Sequence, residues 1–540
     1  MFLCLCMNVC CLAGGRGGKL VVLFTADLHS QLLPGSDGRG GAARMATIIE
    51  RQRENAGQEG AAFLLLDGGD IAMGSIFHTI FPSEAIEYRA MARLGYDAFT
   101  FGNHDFDFGL EALEEMFRSA HSKDSMMTFP ALLSSNFSPL SDTQDPASFD
   151  WDFTTKGYLL LERNGVKAGL FGIMGENSFD VIGRDKERLR HTDPVQAADN
   201  AARELRQMGA DYIIAISHGG TLNGDDISLA KNIKGVDLII SAHDHHLLEE
   251  PVYVAGIPIV AVGAFGKHIG KVVFESGRLE SYSLLEVGPV TGEEPAMAAW
   301  VDSMYTVVKG NFMASTGVSP DDTLAMLEAE APKRVAQDGK MPLGSSIAAS
   351  YADAARKMLG KDAPEDVIGI VPYGMVRRGL QAGAVTARDA YEVLSLGENA
   401  GGFTGYPLVY AWLTGDEIRD LCEMSESIAP YLEDTRLFFS GVEYSTRWLR
   451  IPFFKVGKVT VNGKAVESEK LYMVVTGEYT ARMIGLLEKE SYGILSAQPK
   501  DRQGKPLLPG SLPKLHTSQG EQVPEWRAFA EYLRSLRGSF

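Results

Sequence analysis

Five apolar runs punctuate the first half of the chain, and each ends in polar residues of a related kind. Leu20-Val-Val-Leu-Phe-Thr25 leads to Asp27 and His29, and Phe63-Leu-Leu-Leu66 leads to Asp67-Gly-Gly-Asp70. Phe99-Thr-Phe101 leads to Gly102, Asn103, His104, Asp105 and Asp107. Tyr212-Ile-Ile-Ala-Ile-Ser217 leads to His218-Gly-Gly220, and Val236-Asp-Leu-Ile-Ile-Ser241 leads to His243-Asp-His245-His246. Continuous apolar runs of this length predict strands buried on both faces. Open α/β sheets hold their ligands beyond the carboxyl ends of such strands, so the five ends are expected to converge on one crevice. Buried without partners, the same amides, imidazoles and carboxylates would be costly packing material.

Helical stretches over 41–55, 83–93, 110–119 and 195–208 separate the runs, an alternation that predicts a layered α/β domain. Near its end, Val252–Val262 and Lys271–Phe274 read as hairpin-like strands closing at Gly288-Pro289. A helix over 294–310 joins this part to a second unit. There a helical stretch, Leu343–Arg356, precedes strand-like runs at Val367–Val371, Leu408–Leu413 and Tyr472–Thr476, a mixed α/β pattern. A surface loop over 498–513 is expected before a last helix near Trp526–Leu536. The expected boundaries are therefore 1–18, 19–290, 291–335 with the joining helix, and 336–540.

Composition changes this picture in two ways. A net charge of −19 on 540 residues excludes general binding to nucleic acid or anionic membranes, which requires Lys and Arg to neutralise phosphate. A small phosphate ester is not excluded, because bound cations invert the field of an acidic site. Four of the five cysteines, Cys4, Cys6, Cys10 and Cys11, crowd the N-terminus and only Cys422 lies in the body, so no disulfide framework holds the fold. The apolar segment Met1–Ala13 before Gly14-Gly-Arg-Gly-Gly18 resembles an export signal without its basic n-region, and an early cysteine could carry a lipid anchor.

Asp27, His29, Asp70, Asn103, His218, His243 and His245 offer only oxygen and nitrogen donors, which suit borderline or hard divalent ions. Zinc, manganese, iron and cobalt all fit that description. If Asp70 on its Gly-Gly turn bridges two ions, the set divides into two half-sites. Two ions about 3.5–4 Å apart activate water on one side and polarise a phosphoryl oxygen on the other, which suits hydrolysis of a phosphate ester. His104, oriented by a carboxylate such as Asp107, is then free to protonate the leaving oxygen. His78, His121, His191, His268 and His516 are expected to be structural, and His246 and Asp105 are assigned to neither group.

In order and spacing, the five motifs over Leu20 to about Gly270 resemble the metallophosphoesterase domain of the 5′-nucleotidase family, which includes secreted bacterial 5′-nucleotidase/UDP-sugar hydrolases. The resemblance implies a four-layer α/β sandwich followed by a smaller mixed α/β substrate domain that swings onto the metals. It implies that Asp27, His29, Asp70 and His245 hold one divalent ion and Asp70, Asn103, His218 and His243 the other. His104 and Asp107 become the catalytic pair, and Asn136 matches a family asparagine near the site. In the second half, Met341–Ala354 resembles the family's opening helix and Val376-Arg377 the end of its Asn-Gly-Gly-Gly-Ile-Arg loop. Pro372 replaces that loop's asparagine, and Ser395-Leu396-Gly397 stand where relatives carry a base-stacking Pro-Phe pair. Arg377 and Tyr479 remain as substrate-binding candidates, with Tyr373, Phe403 or Tyr406 as replacement rings. The expected reaction is release of phosphate from nucleoside 5′-monophosphates, with UDP-sugars or cyclic nucleotides as further substrates, in the periplasm or outside the cell. Two alternatives stay open: a relative acting on another ester, such as a thiosulfohydrolase, and a ligand-binding or surface protein on an inactive scaffold.

Overall fold

The computed structural model describes residues 18–140, 155–222, 224–336, 339–399, 402, 404–446, 451–484 and 495–536. The apolar segment Met1–Ala13 and Phe403 lie outside them. The chain forms two compact units: residues up to Ala72 with Phe81–Val301, and Met73–Ile80 with Asp302 onward. The division falls within the helix Pro295–Thr316. No helix among the described residues is long and apolar enough to cross a membrane.

In the first unit the five apolar runs are shared between two sheets. Leu20–Thr25, Ala62–Asp67 and Ala98–Thr100 lie parallel and adjacent in a seven-stranded sheet, while Tyr212–His218 and Leu238–Ser241 lie parallel in a six-stranded one. Alternation along each strand explains why the runs are apolar throughout. Leu20, Val22, Phe24, Leu64 and Leu66 meet Ile214, Ile216, Leu238 and Ile240 in one core between the sheets. The opposite face of the six-stranded sheet, with Ile213, Ala215 and Ile239, packs on Ala198, Ala202 and Leu205 of the helix Pro194–Gln207. Val21 turns outward onto Ala56 of the helix Ala42–Gln58. The layers are helix, sheet, sheet, helix, the four-layer α/β sandwich expected. The run beginning at Phe99 yields only the three-residue strand Ala98–Thr100, after which the chain tightens into a 3₁₀ turn over Asn103–Phe106.

The second unit is built on a four-stranded mixed sheet in the order Leu408–Thr414, Leu471–Gly477, Val367–Pro372, Leu437–Phe439. The helix Pro342–Leu359 lies so close to Val367–Pro372 that a Cβ on Gly369 would fall 1.8 Å from the Ala348 carbonyl oxygen, so only glycine fits there. Reciprocal side-chain caps start two further helices: Thr386 with Asp389 opens Ala387–Val393, and Thr414 with Glu417 opens Gly415–Ser427. The segment Met73–Ile80 joins this unit through buried His78, whose Nε2 lies 2.5 Å from the Tyr391 hydroxyl while Nδ1 accepts from the Gly74 amide. That histidine is structural, as its sequence context implies.

Glu525, opening the last helix Glu525–Ser535, is buried with one carboxyl oxygen bonded to the Tyr351 hydroxyl at 2.6 Å and the other without a partner. Burial pushes its pKa up to about 7, against the opposing hydrogen bond from Tyr351. The folded state therefore holds a proton that the unfolded chain releases near pH 4.5, and stability falls as pH rises from there through 7. The interval corresponds to about 3 kcal/mol. Glu525→Gln is expected to flatten this slope, seen as a smaller loss of urea midpoint for the second unit between pH 5 and 8. An unchanged slope would mean that another group carries the proton.

Candidate active site

The strand ends do converge, and the backbone there is bent to make them do so. Asp27, His29, Asp70, His243 and His245 all adopt left-handed conformations, with φ of 51°, 49°, 53°, 94° and 55°. Such angles are rare for residues with a Cβ and persist only where surrounding structure enforces them. Here the enforcement is visible. Asp27 and His29 donate their amides to the carbonyls of Gly69 and Asp70, tying the first loop to the second. Gly69, at φ 95°, has no room for a side chain, since a Cβ would lie 2.6 Å from the Gly102 amide. A Cβ on Gly102 would meet the Asp70 carboxylate at 2.0 Å.

Two donor clusters result. Asp27, His29 and His245 form one, and Asp70, His218 and His243 the other, with the potential ligand atoms of each within 4.8 Å of one another. Asp70 lies between them: its Oδ2 is 3.8 Å from His29 Nε2 and 3.3 Å from His218 Nε2. The Asn103 amide oxygen completes the second cluster, 2.9 Å from His243 Nδ1 and 3.3 Å from His218 Nε2. Nδ1 of His29 and of His218 each meets a backbone carbonyl, of Ala72 at 3.3 Å and Gly68 at 2.8 Å, and a carbonyl can only accept. Each ring therefore spends its proton on Nδ1 and turns the Nε2 lone pair inward, the tautomer that binds a metal.

The electrostatics suit cations. Asp27, Asp67, Asp70 and Asp105 are each at most 1% exposed. None has a lysine or arginine within ion-pairing distance among the described residues, and buried carboxylates without compensation are strongly disfavoured. Burial pushes Asp27 well above the usual carboxylate range despite the nearby His218, with Asp70 adding to the rise. Burial acts the same way on Asp70, but His218, His104 and His29 outweigh it and hold that carboxylate well below the range. His218 is correspondingly drawn up to about 10, burial opposing and Asp70 prevailing, so a second proton competes with a metal for its Nε2. His29 and His245 bring their Nε2 atoms to 2.9 Å, and with the His29 proton on Nδ1 that approach is satisfied by an Nε2–H of His245 donating to His29 or by an ion that accepts a lone pair from each ring. The residues present fit two divalent ions, the first on Asp27, His29, His245 and Asp70 and the second on Asp70, Asn103, His218 and His243.

His104 stands beside the first cluster, its ring 5.4 Å from that of His29. Nδ1 is 2.6 Å from Asp107 Oδ2, and its amide donates to Asp70 Oδ1 at 2.8 Å. The imidazole is thus anchored on one nitrogen and partly exposed.

Several further residues support the site, most of them without a distinctive sequence signal. Asp105 is the clamp of the Asp70 turn: its carboxylate accepts from the amides of Asp70, Ile71, Ala72 and Gly102 at 2.8–3.2 Å, and burial pushes it up to about 7, with Asp70 adding to the effect. Asp67 accepts from the Thr25 hydroxyl and the Gly69 amide. Phe265 packs its ring against His29 and His245 and gives its amide to the Asp27 carbonyl. Asn136 is a brace between strands, its amide oxygen and nitrogen both bonded to the backbone of Met174. His246 belongs to neither donor cluster.

The two substrate candidates lie in the second unit. Tyr479 stacks on Tyr406, ring centroids 5.6 Å apart and planes 19° from parallel. Arg377 has a buried Nε without a hydrogen-bond partner and no ion pair among the described residues. Lys333, unremarkable in the sequence, joins it: burial and the Arg377 charge pull its ammonium down to about 8, and its Nζ lies 4.4 Å from the centre of the Tyr373 ring.

Comparison with known proteins agrees with this architecture. Residues 20–247 match the calcineurin-like phosphoesterase family and residues 303–485 the 5′-nucleotidase, C-terminal domain family. The chain is 26% identical over 503 residues to the trifunctional nucleotide phosphoesterase protein YfkN of Bacillus subtilis, covering 85% of this chain but only 31% of that protein. It is 24% identical over 507 residues to the 5′-nucleotidase of Vibrio cholerae, covering 86% of this chain and 84% of the relative. The crystal structure of a 5′-nucleotidase precursor from Thermus thermophilus shares the fold with a TM-score of 0.73 at 22% identity, over 97% of both chains. With a calcineurin-like phosphoesterase domain followed by a 5′-nucleotidase C-terminal domain and two donor clusters intact, the chain has the domain architecture of the 5′-nucleotidases and is a metal-dependent phosphoester hydrolase.

Proposed function

We propose that the protein is an exported phosphohydrolase that releases phosphate from nucleoside 5′-monophosphates. The observation that carries the reading is the pair of donor clusters sharing Asp70, with the His104–Asp107 pair at their edge. When bound, two divalent ions there supply Lewis acidity to the phosphoryl oxygens and acidify water for in-line attack. The chain's own part is to hold and move protons. Asp107 fixes the Nδ1–H of His104, so Nε2 can deliver a proton to the ester oxygen as its bond to phosphorus breaks.

In the second unit, Tyr479 and Tyr406 supply the aromatic surface for a base, Tyr406 taking the part of the missing Pro-Phe ring. Arg377 and Lys333, cations without ion pairs among the described residues, suit an anionic substrate. Export is supported by the apolar segment Met1–Ala13 alone.

The test is phosphate release by residues 19–540, stripped of metal and refilled with manganese or zinc, across AMP, UMP, a UDP-sugar, a cyclic nucleotide and an aryl phosphate. Preference for AMP or UMP is expected. Tyr479→Ala should raise KM for AMP about 10–100-fold, the value of one base stack, and leave the aryl phosphate nearly unchanged. Arg377→Ala should raise KM for both. Turnover of the aryl phosphate alone would keep the hydrolase chemistry and overturn the nucleotide reading.

A further inference from the structure

Next to His29 the left-handed backbone continues: Ser30 has φ 56°, so two successive residues bearing a Cβ share a conformation that either alone rarely adopts. The Ser30 amide donates to the Ile71 carbonyl, and the Ser30 hydroxyl donates to Glu87 Oε1 at 2.6 Å. Glu87 comes from a different element, the first turn of the helix Ile86–Leu94, and is only 3% exposed. Its Oε2 is buried without a hydrogen-bond partner. The pair borders a cavity of about 20 Å³ whose other walls are chiefly apolar, from Leu28, Met45, Ile71 and Met91. A carboxyl group in such surroundings, making one side-chain hydrogen bond, is poor packing material unless that bond has work to do. The bond it makes ends one residue from His29.

We propose that Glu87 is a positioning residue for the half-site of Asp27, His29 and His245, holding His29 in its left-handed conformation through the Ser30 hydroxyl. Helix and loop are separate in sequence, and the bond fixes the loop to the helix where two left-handed residues adjoin. Without it, Ser30 can relax toward ordinary φ, and the His29 Nε2 turns away from Asp27 and His245. The second half-site makes no hydrogen bond or ion pair with Glu87 among the described residues and keeps its geometry through Asp105 and Gly68. The proposal rests on the two-half-site reading, and its test separates the two.

The full chain, stripped of metal, is titrated with Mn²⁺ and free ion is read by electron paramagnetic resonance. Wild type is expected to take up two ions. Glu87→Ala should bind one of them about 10–100-fold more weakly and the other unchanged, the usual cost of losing support behind a ligand. Glu87→Gln keeps an oxygen for Ser30 and should stay within about threefold of wild type. Ser30→Ala should reproduce Glu87→Ala, and the double variant should be no weaker than either single one. In a His218→Ala background, where only the first half-site keeps its donors, Glu87→Ala should weaken the remaining ion. If Glu87→Ala does not fold by circular dichroism, Ser30→Ala decides alone. Wild-type affinity for both ions in Glu87→Ala and Ser30→Ala, equal weakening of both, or damage by Glu87→Gln matching that by Glu87→Ala would overturn the proposal. A wild-type chain that takes up no Mn²⁺ would overturn the two-half-site reading and the proposal with it.

Discussion

Asp70→Ala is expected to lose both metal ions on dialysis and about 10⁴-fold or more of turnover. The size of the effect follows from its position. Its Oδ2 faces His29 Nε2 at 3.8 Å and His218 Nε2 at 3.3 Å, so one carboxylate serves both donor clusters. Its Oδ1 also accepts the His104 amide, so the same change frees the turn that carries the proposed acid. Asp70→Asn keeps the shape and removes the charge. Loss of both ions in that variant as well, measured by metal analysis, would assign the effect to charge; retention of both in Asp70→Ala would remove Asp70 from the bridging position.

His104→Ala should give the complementary result, two ions retained and kcat lower by about 10²–10⁴-fold. His104 belongs to neither donor cluster, yet its ring lies 5.4 Å from that of His29. The loss should be smaller for an aryl phosphate with an acidic leaving group, because such an oxygen departs with less need of a proton. Asp107→Asn should fall between wild type and His104→Ala, since Asp107 touches only the anchored nitrogen. Metal loss in His104→Ala equal to that in Asp70→Ala would show a structural role instead.

Much of the catalytic half was legible because its chemistry is local. A strand buried on both faces must be apolar throughout, as Val22 and Val21 demonstrate by packing on opposite sides of one sheet. The chain beyond each strand end then has only a few residues in which to present donors, so Asp27, His29, Asp70, Asn103, His218, His243 and His245 stood out as a set. The Gly68-Gly69 turn and Gly102 were visible for the same reason: no side chain fits where the loops approach one another. Asp105, by contrast, looked like any acidic neighbour of the motif. Its role depends on four amides, three of them more than thirty residues earlier in the chain, and no local pattern encodes that.

The second half was less legible. Its departures from the family loops are plain in the sequence, but whether another ring compensates depends on where Tyr406 falls against Tyr479, 73 residues later. Lys333 resembles a solvent-facing lysine until burial and Arg377 are seen beside it.

By itself, then, the sequence determined the donor types, their order and the strand ends that carry them, because periodicity and short-range sterics are written into consecutive residues. The tertiary structure alone decided that three of those strands belong to one sheet and two to the other, that Asp105 clamps the Asp70 turn, and that Glu87 braces Ser30. Apolar alternation records that a strand has two buried faces but not which partner covers each. A hydrogen bond between residues 57 positions apart leaves no mark on either residue's neighbours.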